Sequence, residues 1–251
     1  MSIRLGPRDM QSLTVIAEHY GTPLDLVAQM HDVGMSSAYR TVQRWREANL
    51  IAPLSRPVPG PSWVVPTTAT AEALLGISVR HWAPRLKMVE HVTAVLQTRL
   101  ALVGTDLERW VSERELRHEV GPTRPGVARP HIHDGRFLNS EGEWWAVEVE
   151  LSPKTSHTVA RSALLGARQA AERAGLAGVL YLCRGERVKT VIREAAQGLE
   201  RSRDIEIRMK DLDQFLPERP SVKVTKKPRT PLRLVVGGTD APARDSDWTR
   251  P

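Results

Sequence analysis

The sequence predicts an α/β protein in two parts, with helices first and a mixed sheet after them. Three observations predict it. Residues 7–48 carry apolar side chains three and four apart, the spacing of helices with one buried face. Trp144 to Leu151 is aromatic and β-branched with charges alternating in, and Gly178 to Cys183 is a continuous apolar run. Helical spacing returns after each of these strands, over Thr155 to Ala174 and Glu186 to Leu199.

The chain of 251 residues is long enough for two modest domains, or for one with extensions. Its 36 Lys and Arg against 29 Asp and Glu leave a formal net charge of +7, which favours a polyanionic partner, usually nucleic acid. A merely basic protein has the same balance. The single cysteine, Cys183, lies in an apolar run and has no internal disulfide partner. No apolar run reaches membrane-spanning length and the N-terminus has no signal-peptide pattern, so a reducing cytoplasm is expected, with no membrane partner and no small-molecule cofactor.

Pro7 opens a first helix, with Met10, Leu13, Ile16 and Ala17 as its apolar stripe, ending at Gly21. Thr22-Pro23-Leu24-Asp25 reads as a second helix start, with Thr22 as cap. Ser36 then caps a third helix through Ala48, whose core side is Ala38, Val42 and Trp45 and whose other side presents Ser37, Arg40, Gln43, Arg44 and Glu47. Leu50-Ile51-Ala52 and Trp63-Val64-Val65 read as two short strands around a Pro/Gly-rich loop carrying Arg56. This is the order of a winged helix-turn-helix over residues 1–76. Its third helix has groove-reading composition: Ser36 and Ser37 for phosphates, Arg40 and Arg44 for guanine, and Gln43 for adenine, with Arg56 on the wing. Double-stranded DNA is the partner expected, although a solvated polar face or a protein-binding winged helix has the same composition.

A short helix from Thr67-Thr68-Ala69 to Leu75 stops at Gly76, and Pro84 opens a longer one through Val103, a connecting segment over residues 77–104. Its Leu86, Val89, Thr93, Leu96, Leu100 and Val103 are spaced as in a coiled coil, which suits packing on the same chain or a homodimer. Residues 105–216 then hold Leu107 to Val111, a capping box at Ser112-Glu113-Arg114-Glu115, the strands and helices above, and a last strand from Ile205 to Met209. In the helix over Thr155 to Ala174, Val159, Leu164, Leu165 and Ala170 point inward, and Arg161, Arg168 and Arg173 outward. The tail, residues 217–251, is Pro-rich with a basic cluster (Lys223, Lys226, Lys227, Arg229, Arg233) and is expected to be disordered.

The chemistry concentrates in His131 to Lys154, two strands joined by a turn. If the loop is Ser140-Glu141-Gly142, Asn139 pairs with Glu143 and the antiparallel ladder sets Asp134 opposite Glu148, on the face of Glu150. The carboxylates Asp134, Glu148 and Glu150 then converge, with Lys154 past the strand end, an arrangement for Mg2+ or Mn2+ held by Asp134 and Glu148. A two-residue Glu141-Gly142 loop instead scatters them onto both faces.

Asp134 followed by Glu148-Val149-Glu150, in the order helix, strand, strand, strand, helix, strand, resembles the PD-(D/E)xK nuclease superfamily. His133 stands where the Pro would be and Glu150 where the Lys would be; some restriction-type members use acid-x-acid there. The resemblance implies metal-dependent endonuclease chemistry, with Asp134, Glu148, Glu150 and Lys154 as catalytic residues. Over residues 7 to 212 the chain is also similar to the replication-relaxation family of actinobacterial plasmids, phages and integrative elements. The features that carry this are the winged helix, Trp110-Val-Ser-Glu-Arg-Glu-Leu-Arg117, the His-Asp-Gly turn and Trp145-Ala-Val-Glu-Val-Glu-Leu-Ser-Pro-Lys154. That family implies DNA binding in replication, relaxation or transfer.

Two other readings compete. A non-catalytic transcriptional regulator or accessory factor would use the same fold as a scaffold. His131-Ile132-His133 also matches the metal-binding signature of relaxases that nick single-stranded DNA with a tyrosine, but Tyr20 and Tyr39 belong to the N-terminal part and Tyr181 to an apolar strand.

Overall fold

A computed structural model describes residues 4–122, 125–126, 129–197 and 205–216. Among these residues the fold is mixed α/β, with a five-stranded mixed sheet and a separate two-stranded ladder. The basic tail lies outside the described residues, as does the expected helix end at Leu199.

The first helices are α1 (Pro7–Glu18), α2 (Leu24–Met30) and α3 (Met35–Glu47). Leu13, Ile16, Val27, Ala38, Val42 and Trp45 form one apolar core between them, as the spacing predicts. Trp45 buries its ring fully but keeps its polar edge satisfied, donating from Nε1 to Asp9 Oδ1 at 3.0 Å. Two helix starts differ from expectation. Thr22 and Pro23 form a short strand, β1, paired antiparallel with β2 (Trp63–Val64), so Thr22 is committed to a ladder and Pro23 stands at the cap of α2. Gly34, not Ser36, caps α3, because its carbonyl takes the first helical bond from Ala38 N at 3.1 Å. The stretches around Ile51 and Trp63 do run antiparallel, through the Ile51–Pro66 and Ser55–Trp63 bridges, with β1 on the other edge of β2.

The helix α4 (Thr68–Leu75) is stopped by Gly76 in the left-handed region, as expected, and is capped by the Thr67 side chain. α5 (Leu86–Val103) starts two residues after Pro84. Its buried residues cover more than one stripe. Val89 and Val92 pack on Trp63, Leu96 on Val15 and Leu26, and Ala94 and Val95 on Trp110, Val147 and Leu180. α5 is therefore buried between the N-terminal helices and the sheet, while Leu86, which the spacing put on the seam, is exposed.

The sheet contains β3 (Trp110–Ser112), β4 (Gly135–Leu138), β5 (Trp144–Glu150), β6 (Gly178–Cys183) and β7 (Glu206–Asp211), in that spatial order. β3, β4 and β5 are antiparallel neighbours; β6 and β7 run parallel to β5. α6 (Glu113–Val120) follows β3 behind the expected capping box of Ser112 and Glu115, and α9 (Leu212–Phe215) follows β7. α7 (His157–Arg173) and α8 (Glu186–Ala196) cover the face that carries Ala146, Val179, Tyr181 and Cys183. α7 turns Ala160, Leu164, Ala167 and Ala171 inward; Val159, expected inward, is exposed in its first turn. Small side chains at these positions let the helix backbone approach the sheet closely. Space is also short at Gly178, where a Cβ would overlap the Trp145 ring and the Glu206 carbonyl.

Buried polar contacts tie the two parts together. Arg99 of α5 pairs with Glu18 of α1, both nearly inaccessible. Arg114 donates to the Ala17 carbonyl at 2.9 Å and lies over the Tyr20 ring, whose hydroxyl donates to Glu113 at 3.0 Å. Among the described residues, no helix is long and apolar enough to cross a membrane.

His19, at the end of α1, is buried against Trp110 and bonds the Val15 carbonyl through Nδ1 at 2.9 Å. Burial, together with the nearby Arg114 charge, lowers its pKa to about 4 against the partial offset of that bond. The unfolded chain therefore binds the extra proton between about pH 6.5 and 4, and stability falls as pH drops through this window, by on the order of 3 kcal/mol when complete. Urea denaturation at pH 7 and pH 4.5 should show a smaller difference in His19→Gln than in the wild type. An identical difference would mean that His19 is protonated as readily in the fold as out of it.

Candidate metal and nuclease site

The β4–β5 hairpin has the three-residue loop. Asn139 N donates to the Glu143 carbonyl at 2.9 Å, and the Asn139 side-chain oxygen accepts from Glu141 N and Glu143 N at 2.9 and 2.8 Å. Gly142 supplies the left-handed residue at φ 79°. The register then runs Leu138–Trp144, Phe137–Trp145, Arg136–Ala146 and Gly135–Val147. Asp134 continues it: its N–H donates to the Val147 carbonyl at 3.1 Å and its Oδ2 accepts from Val149 N at 2.8 Å. Asp134 thus brackets Glu148 and stands opposite it.

Glu148 and Glu150 share the α7–α8 face of β5, at its C-terminal end. Both are largely buried, and with Asp134 and Lys154 they line an open cleft whose far wall is Lys87, Glu90 and His91 of α5. Lys154 Nζ meets Glu150 Oε1 at 2.6 Å. Glu148 Oε1 meets His131 Nε2 at 2.7 Å. Burial raises the Glu148 pKa to about 7; His131 opposes this, and the charges of Asp134 and Glu150 add to it. Carboxylate repulsion is present, but desolvation is the larger cause.

His91 is a site residue that the sequence did not disclose. It sits on α5 among charged neighbours, and its Nε2 donates to Asp134 Oδ1 at 3.0 Å. Helix periodicity marks which face is apolar, and it carries no signal for a polar partner 43 residues away. His133 is buried and donates from Nε2 to the Ala167 carbonyl at 3.0 Å; burial lowers its pKa to about 4. Tyr181 lies beside Glu148 in the β5–β6 register, nearer the two histidines than its apolar strand suggested. Its ring is only 1% exposed and burial raises the hydroxyl pKa, so it is closed to attack on a polymer.

On α3, Ser36, Arg40 and Arg44 are exposed, and Ser37 and Gln43 are half-buried. Arg40 donates to Ser37 Oγ at 3.1 Å, while Arg44 stands 3.5 Å from Asp9. Arg56 is exposed in the loop before β2 and donates to Ser62 Oγ at 3.0 Å.

The donor set fits a hard divalent cation. Each oxygen of Asp134 makes one hydrogen bond, and a carboxylate oxygen has two lone pairs, so Asp134 retains capacity beside Glu148. Burial works against protonation of His91, but its hydrogen bond to Asp134 and the carboxylate charges outweigh it and hold the pKa at about 9. A raised folded pKa stabilises below the unfolded value near 6.5 and loses that contribution as pH rises through 9. NMR titration of the imidazoles should place His91 near 9 in the wild type and lower in Asp134→Asn. A wild-type value at or below 6.5 would dissolve the pair. No protein-family model, curated protein or solved structure matches the chain.

Proposed function

We propose that the chain is a DNA-binding protein of a mobile element, of the replication-relaxation kind, with a restriction-endonuclease-like domain that cleaves phosphodiesters in a metal-dependent way. The observation that carries this is the placement of Asp134 beside Glu148, with Glu150 and Lys154 at the same strand end, in an open cleft. The succession α5, β3, β4, β5, α7, β6, with α6 inserted between β3 and β4, supports it, since apart from that insertion it follows the helix, strand, strand, strand, helix, strand order of the PD-(D/E)xK core. For the N-terminal part, α1 to α3 followed by the antiparallel stretches around Ile51 and Trp63 support a winged helix-turn-helix, with α3 reading duplex DNA.

Asp134 and Glu148 would hold Mg2+ or Mn2+. When bound, the ion supplies Lewis-acid charge for a pentacovalent phosphate and lowers the pKa of its water. Burial pushes the Glu148 carboxyl above its ordinary range, so holding the ion would require it to be deprotonated. Lys154, held by Glu150, keeps an ammonium at the rim, where it offsets phosphate charge. Lys87 adds a second cation to the same cleft.

At a concentration about 100 times its dissociation constant, Mg2+ or Mn2+ should stabilise the fold by about 2.7 kcal/mol through linkage. The melting temperature should rise in the wild type and stay level in Asp134→Asn/Glu148→Gln. The same double variant should lose metal-dependent nicking of duplex DNA while keeping its DNA affinity. A wild type that binds DNA but cleaves under no metal would make the protein a regulator or accessory factor.

Arg40→Ala or Arg44→Ala should weaken specific duplex binding by about 1–3 kcal/mol each if bidentate base contacts are lost. Fluorescence anisotropy with specific and scrambled duplexes measures this. Unchanged affinity and preference in both variants would take α3 out of the interface.

A further inference from the structure

We propose that His131, His133 and Glu148 form a second metal site, for a first-row transition-metal ion of the zinc class, sharing Glu148 with the hard-cation site but not needing Asp134. One ligand atom from each of the three residues lies within 4.8 Å of the others. The two imidazole rings are 5.3 Å apart, edge to face.

His133 shows how a ligand is prepared. Its Nε2 donates to the Ala167 carbonyl, so in the neutral ring the lone pair is on Nδ1. That Nδ1 is buried and has no partner, and the residue is only 1% exposed. A bare acceptor in the interior loses its hydration and gains nothing in return. An imidazole that spends one nitrogen on a backbone carbonyl and keeps the other free is the usual state of a metal-ligating histidine. The hydroxyl of Tyr181, beside Glu148 on the same face, is a second buried polar atom without a partner.

His131 can complete the set. It lies against Gly166 of α7, where a Cβ would stand 3.4 Å from its own, so the ring sits close over the helix backbone. Tetrahedral coordination at about 2.0–2.1 Å places ligand atoms roughly 3.4 Å apart. The 2.7 Å contact of His131 with Glu148 must open slightly, and the proton shared there leaves as the ion enters. His131 precedes β4 in an irregular segment and its side chain is 24% exposed, so it has room to move. Two imidazoles and one carboxylate prefer Zn2+, Co2+ or Fe2+ to Mg2+ and leave coordination positions for water.

The test is a titration of chelator-stripped full-length protein with Zn2+ against a chromophoric chelator, with Co2+ absorption as a ligand-field readout. The wild type should bind about one Zn2+ tightly and give visible Co2+ bands. His131→Gln, at a partly exposed position outside the sheet, should weaken Zn2+ by more than about a hundredfold with an unchanged circular dichroism spectrum. His133→Gln should do the same. Asp134→Asn should retain Zn2+ while losing the Mg2+ effect on melting, which separates this site from the hard-cation one. Zn2+ affinity unaltered in His131→Gln, or no tight binding by the wild type, would overturn the proposal. So would loss of Zn2+ in Asp134→Asn.

Discussion

The β4–β5 register is the constraint on which the site depends. Side chains alternate faces along a strand, so a slip of one residue would send Glu148 and Glu150 to the α5 side and turn Val147 and Val149 to the α7–α8 side. The hairpin loop prevents this. Asn139 closes it with backbone and side-chain hydrogen bonds, and Gly142 takes the left-handed conformation that the closure requires. At the far end, the Asp134 carboxylate substitutes for a backbone acceptor at Val149 N. A functional side chain is thereby part of the ladder, and its position is as fixed as the sheet.

α5 is the second constraint. It presents apolar surface to both the N-terminal helices and the sheet, so the two parts share one buried helix instead of a linker. The Arg99–Glu18 pair lies in that contact. Burying two charges is expensive, and such a pair adds more to specificity of docking than to net stability, but removing one partner strands the other. The same helix carries His91 to Asp134. Packing of the N-terminal part and electrostatics of the carboxylate site are therefore set by one element.

The site itself is densely compensated. His91 serves Asp134, His131 serves Glu148 and Lys154 serves Glu150, each acid with its own base. The exception is His133, whose ring is buried with one nitrogen committed to α7 and the other without a partner. The alanine and glycine content of α7 brings the helix backbone close enough to accept that bond.

The sequence by itself determined local features: the mixed α/β class, the capping box at Ser112 and the stop at Gly76; it narrowed the hairpin to two loops, of which the three-residue one puts Asp134 opposite Glu148. These depend on neighbours a few residues apart, and backbone geometry dictates them without help from the rest of the chain. It was less reliable where a tertiary partner competes with a local preference. Thr22 is drawn into a ladder with Val64, and Val159 stands one residue off the stripe of Ala160, Leu164, Ala167 and Ala171 that the sheet buries. Only the tertiary structure decided that α5 is buried on several sides, that His91 reaches Asp134, and that His131 and His133 both turn toward α7. Those pairings join residues 17 to 43 positions apart, and their geometry is set by how helices pack on a sheet, which no spacing within one strand or helix encodes.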